Sequence, residues 1–144
     1  MASKSETVLI ALFDALSAAL PSGAGIQRNG VLPVRIPAAG QIILRDGDPG
    51  QPEVLMSPVL YYYEHSADVE IIVDRPATAR DATFDTLKQA VGAALAADRT
   101  LGGLCDYVDA DAPAPVTLPV ENGDGLKVAT ISVTLRYGSA DPLL

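Results

Sequence analysis

VLYYYEHSADVEIIVD, residues 59–74, decides the fold. Val59, Tyr61, Tyr63, His65, Ala67, Val69, Ile71 and Val73 fall on one parity, and Leu60, Tyr62, Glu64, Ser66, Asp68, Glu70, Ile72 and Asp74 on the other. Successive strand residues point to opposite faces, so the alternation predicts a strand over about 57–74 with one buried face. At about 3.3 Å per residue it would span roughly 50 Å, well beyond the usual five or six residues. A bulge near His65 or an overhang beyond the domain body is therefore expected.

Upstream, Ser3 and Glu6 have capping-box spacing ahead of an apolar stripe at Leu9, Leu12, Phe13, Leu16 and Leu20, which predicts a helix over 3–20 ended by Pro21. Residues 23–30 have loop composition. Two β-prone runs at 31–36 and 41–45 predict short strands, and the turn chemistry of RDGDPGQPE predicts an irregular hairpin whose tip, residues 46–52, projects into solvent. Downstream, Phe84, Leu87, Val91, Ala94 and Leu95 form the stripe of a second helix over 79–98, opposite a wet face with Arg80, Asp81, Asp85, Lys88 and Gln89. Gly102 and Gly103 allow the positive φ that would end it in a tight corner, closed beneath by Leu101 and Leu104. Strands follow at about 104–109, 115–120 and 126–137, the last two joined by a turn at Asp124 and Gly125. On the final strand Ala129, Ile131, Val133, Leu135 and Tyr137 share a face opposite Thr130, Ser132, Thr134 and Arg136.

With 144 residues and 49% hydrophobic content, the chain fits one domain with one core. The element order predicts an α+β fold: an antiparallel or mixed sheet of about four to five strands with two α-helices packed on one face. The other sheet face, with its hydroxyls and charges, is either wet or paired with another copy. One cysteine, Cys105, rules out an intrachain disulfide; with no signal-peptide pattern at the N-terminus, a reduced, cytoplasmic setting is expected. The longest apolar runs fall short of the roughly 20 residues of a membrane helix.

Net charge is −8, and the ten Lys and Arg residues are scattered along the chain, so a nucleic-acid grip is disfavoured. Catalytic constellations are also poorly supported. His65, the lone histidine, lies on the apolar parity of its strand, as a hydrogen-bonded core or interface residue does, and nothing around Cys105 matches a cysteine-protease signature. The loop acids Asp46, Asp48, Asp106, Asp109, Asp111 and Asp124 complete no calcium-loop alternation, so no metal is expected. The glycines match neither a dinucleotide fingerprint nor a phosphate loop, so no cofactor is expected either. Of the three consecutive tyrosines, Tyr61 and Tyr63 belong to the core parity and Tyr62 is the candidate contact residue.

Three stretches carry a family resemblance: the strand YYYEHSADVEIIV, the Ala-rich helix ending AALAADRTLGGLCDYV, and the last strand ATISVTLRY followed at once by GSADPL. Together they resemble the tail terminator (tail completion) proteins of long-tailed bacteriophages and prophages, over roughly residues 55 to 142. The family's Asp-x-x-Leu-x-Gly-Leu corner corresponds to Asp98, Leu101, Gly103 and Leu104, and its exit from the sheet to Tyr137, Ala140, Asp141 and Pro142. Gly138 and Ser139 stand where a Thr pair is expected. The resemblance implies a structural virion protein of the tail neck, assembled in the host cytoplasm and not an enzyme. It would form a homo-oligomeric ring, a hexamer, on the head-proximal end of the tail tube, stop tube polymerisation and meet the head connector, while DNA passes through the lumen without specific binding. Candidate interface residues are Asp46, Asp48 and Gln51 on the projecting loop, Tyr62 and Glu64 on the long strand, Arg99 at the corner, Arg136 on the last strand and Asp141 at the exit. Rival readings are a head-tail adaptor or stopper of the same neck, and a small cytosolic enzyme or ligand-binding domain with a pocket between the sheet and the second helix, gathering His65, Cys105 and several Asp.

Overall fold

The computed structural model describes residues 1–119 and 125–144. Val120 and the predicted turn residue Asp124 lie outside the described residues. In chain order the elements are α1 (Lys4–Ala19), β1 (Gly25–Arg28), β2 (Gln41–Asp48), β3 (Glu53–Leu55), β4 (Leu60–Val73), α2 (Ala77–Ala97), β5 (Tyr107–Ala110), β6 (Val116–Leu118) and β7 (Leu126–Ser139). The fold is α+β, and the described residues form seven strands in one mixed sheet.

Sheet order is β1-β2-β4-β7-β5, with β3 added to β4 and β6 to β7. β4 and β7 are antiparallel and pair without interruption from Tyr61↔Ser139 to Val73↔Lys127. This register sets the odd residues of β4 opposite the odd residues of β7. Those residues, from Tyr63, Ala67, Val69, Ile71 and Val73 to Ile131, Val133, Leu135 and Tyr137, join Ile42 and Leu44 of β2 and the helix residues Leu12, Leu16, Phe84, Leu87 and Leu95 in one buried cluster. Fully burying each such aliphatic side chain is worth about 1.5–3 kcal/mol, which makes parity the strongest determinant of register here. The helices begin and end where local chemistry requires. Ser3 caps α1 by accepting from Glu6 N at 3.3 Å, Pro21 follows its C-terminus, and Pro76 precedes the first turn of α2.

Several expectations need correcting. The sheet has seven strands, more than the expected four to five. Residues 31–36 form no strand, because Pro33 and Pro37 remove backbone donors from a β-prone run. The neighbouring strand is instead Gly25–Arg28, in a stretch of loop composition, and it pairs parallel to β2. β2 continues through Asp46 to Asp48, past the predicted end at residue 45, and the projecting turn is correspondingly shorter. The irregularity lies in β2, between Arg45 and Asp48, and β4 is unbroken at His65. β3 was not anticipated. β5 starts at Tyr107, because Cys105 N is drawn back to Thr100 O at 2.9 Å and the segment 104–106 stays in the corner.

The even-numbered face changes character along its length. Near the start of β4 it is polar, with Tyr62, Glu64, Ser66 and Asp68 opposite Gly138, Arg136, Thr134 and Ser132. Toward the end of β4 it is apolar, where Ile43 and Ile72 are buried and Val128 faces Val116 of β6.

Candidate functional site

The lone histidine occupies a closed hydrogen-bond node. His65 Nε2 lies 2.6 Å from the carbonyl oxygen of Asp46, and Nδ1 lies 2.7 Å from Tyr137 Oη. A carbonyl only accepts, so Nε2 carries the proton and, in the neutral ring, Nδ1 accepts from the tyrosine hydroxyl. Asp46 is also held at its other polar groups. Its N–H donates to Asn29 Oδ1 at 3.0 Å, and its carboxylate accepts from Arg28 Nε at 2.9 Å. Arg28 continues to Glu6, donating from Nη2 to Oε2 at 2.9 Å. The node thus ties the irregular part of β2 to α1, β1, β4 and β7. The Arg28 hydrogen bonds hold the Glu6 carboxyl below its ordinary range; at Asp46 partial burial works the other way, but Arg28 and Asn29 outweigh it.

These groups are committed to one another, which leaves His65 no free nitrogen to act as a base. Burial pushes the Cys105 thiol up to about 11 and the Tyr137 hydroxyl up to about 12, so neither is ionised near neutral pH. A shallow groove of about 300 Å³ along α2, lined by Lys88, Val91, Gly92, Leu95, Pro113 and Ile131, contains neither His65 nor Cys105. Among the described residues no three His, Cys, Asp or Glu side chains converge as a metal set would, and no helix is long and apolar enough to cross a membrane.

Three predicted contact residues come together on the polar half of the even face. Tyr62 Oη donates to Asp106 Oδ2 at 2.8 Å, Arg136 Nε lies 3.9 Å from Glu64, and Arg136 Nη1 lies 3.1 Å from Asp109. Arg99 is nearby at the edge strand β5: it donates to Val108 O at 3.1 Å, and its guanidinium stands 5.6 Å from the Tyr107 ring centroid. The remaining candidates sit elsewhere. Asp46 is part of the internal node, Asp48 is exposed at the end of β2 and Gln51 on the turn after it, and Asp141 organises the C-terminal turn by accepting from Leu143 N at 2.9 Å.

Asp98 holds the corner, accepting from Thr100 N at 2.9 Å and Gly102 N at 2.7 Å, while Lys127 pairs with Asp81. Gly103 has φ +88°, the left-handed value expected of it.

Two apolar surfaces were not anticipated. The β3–β4 hairpin tip exposes Val54, Leu55, Met56 and Val59. At the other end of the sheet a groove of about 480 Å³ opens over Ile72 and Val128, walled by Leu32, Val116 and Leu118. The hydrophobic run EVLMSPVL directly after a turn-rich loop was the available signal for the first, and the doublets Ile42-Ile43 and Ile71-Ile72 for the second. Compared with protein-family models and with curated proteins, the chain matches none.

Proposed function

We propose that this chain is the protomer of a ring that caps the head-proximal end of a phage-type tail tube, halting polymerisation and joining the tail to the head connector. The observation that carries this reading is the uninterrupted pairing of β4 with β7, whose odd face is buried while an apolar hairpin tip and a polar ladder of Tyr62, Glu64, Arg136 and Asp109 stand at the surface. Residues of both helices share one buried cluster with the odd residues of β4 and β7, which supports keeping the even face for assembly. A heterologous contact that closes by rotation makes a ring, and six copies would close it. A net charge of −8 per chain lets a lumen pass DNA without holding it. The sequence resemblance to tail terminators over residues 55 to 142 points the same way.

Native mass measurement with negative-stain imaging, with and without tail tubes, tests the proposal. Rings seated on one end of each tube are expected. Binding only to the head connector would favour a stopper or adaptor, and a protein that neither forms rings nor binds tube ends would overturn the reading.

A further inference from the structure

We propose that Arg99 closes the outer edge of β5 and so keeps the sheet from adding a strand of another copy along that side. β5 is the last strand in the order β1-β2-β4-β7-β5 and pairs with β7 alone. A strand in that position turns a row of backbone N–H and C=O groups away from the sheet, where they can template pairing with a second copy of the chain.

The register shows which groups those are. Along β5 the pairs are Tyr107↔Arg136, Val108↔Leu135, Asp109↔Thr134 and Ala110↔Val133. In an antiparallel ladder alternate residues turn both backbone groups to the neighbour, and the residues between them turn both away. Asp111 N donates to Ser132 O of β7 at 3.0 Å, which puts Val108 and Ala110 in the outward set. Val108 is nevertheless closed. Its N–H donates to Arg99 O at 2.8 Å, and its carbonyl accepts from Arg99 Nη1 at 3.1 Å. One residue thus supplies both the acceptor and the donor that an added strand would bring, and its guanidinium stands 5.6 Å from the centroid of the neighbouring Tyr107 ring.

The corner fixes Arg99 in this position. Asp98 on one side accepts from Thr100 N, Thr100 Oγ1 and Gly102 N at 2.9, 2.8 and 2.7 Å, and Thr100 O accepts from Cys105 N at 2.9 Å. Past Val108 the edge is short: Ala110 is the last residue of β5, and Pro113 and Pro115 beyond it have no N–H to offer. Arg99, a candidate contact residue in the sequence, therefore serves its own chain. The inference goes beyond the ring reading, because it names a side through which copies do not join, and it rests on the fold alone.

The test compares wild type, Arg99→Ala, Ala110→Pro and the double variant by sedimentation and native mass spectrometry over rising concentration. Arg99→Ala is expected to form dimers or larger species beyond those of the wild type at the same concentration. Proline at the outward-facing Ala110 removes no bond to β7 but blocks strand addition, so it should abolish the added association in the double variant and leave wild-type behaviour unchanged on its own. Arg99→Ala assembling like the wild type, or added association that survives Ala110→Pro, would overturn the proposal. So would a wild type whose own assembly is broken by Ala110→Pro, since the β5 edge would then be a contact in use. If Arg99→Ala fails to fold, hydrogen exchange in the dilute wild type decides: the Val108 amide should exchange roughly tenfold or more slowly than that of Ala110, and equal rates would show that Arg99 closes nothing. All these measurements use free chains, so a wild type that leaves tail tubes uncapped would sink the ring reading and leave this inference standing.

Discussion

His65 reads in the sequence as a hydrogen-bonded core or interface residue, and in the structure it works as a brace. Its two nitrogens join the Asp46 carbonyl to the Tyr137 hydroxyl, and both His65 and Tyr137 are almost fully buried. Tyr137→Phe removes the donor to Nδ1 and leaves a buried acceptor unsatisfied, which should cost about 1–3 kcal/mol in urea denaturation; an unchanged midpoint would show that the node carries no load. Two glycines are equally constrained. Gly103 at φ +88° has open space around it, so Gly103→Val suffers from the backbone alone and should lose about 1–3 kcal/mol, with wild-type thermal stability as the contrary result. Gly47 has φ +70°, and an added Cβ there would collide with the carbonyl oxygen of Ser66. Gly47→Ala should therefore be the more damaging change, visible as a lower melting temperature than that of Gly103→Val.

At the scale of elements, Arg28 joins α1 to the irregular part of β2 through Glu6 and Asp46. Both carboxyls are held below their ordinary range in the folded chain, so the stability they contribute is present above the unfolded value of about 4 and is lost as pH falls through the depressed folded values. Arg28→Met should lower the melting temperature at neutral pH, with a gap to wild type that narrows in acid; a gap independent of pH would place the role of Arg28 in packing alone. Such links between distant segments are invisible in sequence, whereas stripes and parities are not. The buried residues of α2 are those its spacing predicts, and β4 reads directly from its alternation. Residues 31–36 misled because Val31, Val34 and Ile36 favour a strand while two prolines deny it the donors to pair. β1 and β3 escaped notice because strands of four and three residues, one starting with glycine and the other following Pro52, show too little periodicity to stand out from loops. The groove is hard to read from sequence because most of the even parity is polar. Ile43 and Ile72 break that rule, and a strand apolar on both sides signals cover on both.

For the whole molecule, the sheet has two jobs. Its odd face buries the core against the helices, while an apolar tip at one end and an apolar groove on the even face stay open in the single chain. Of the eight predicted contact residues, Tyr62, Glu64 and Arg136 cluster on one face beside Arg99, while Asp46 serves the interior. An acidic chain with apolar surfaces left open at opposite ends of β4 is suited to assembly. The most direct measurement is an elongation assay: purified tail tubes are incubated with this protein, excess tube subunit is added, and lengths are read by electron microscopy. Tubes carrying a ring at one end should not lengthen from that end, while untreated tubes continue to grow; equal growth at both ends of treated and untreated tubes would contradict the account.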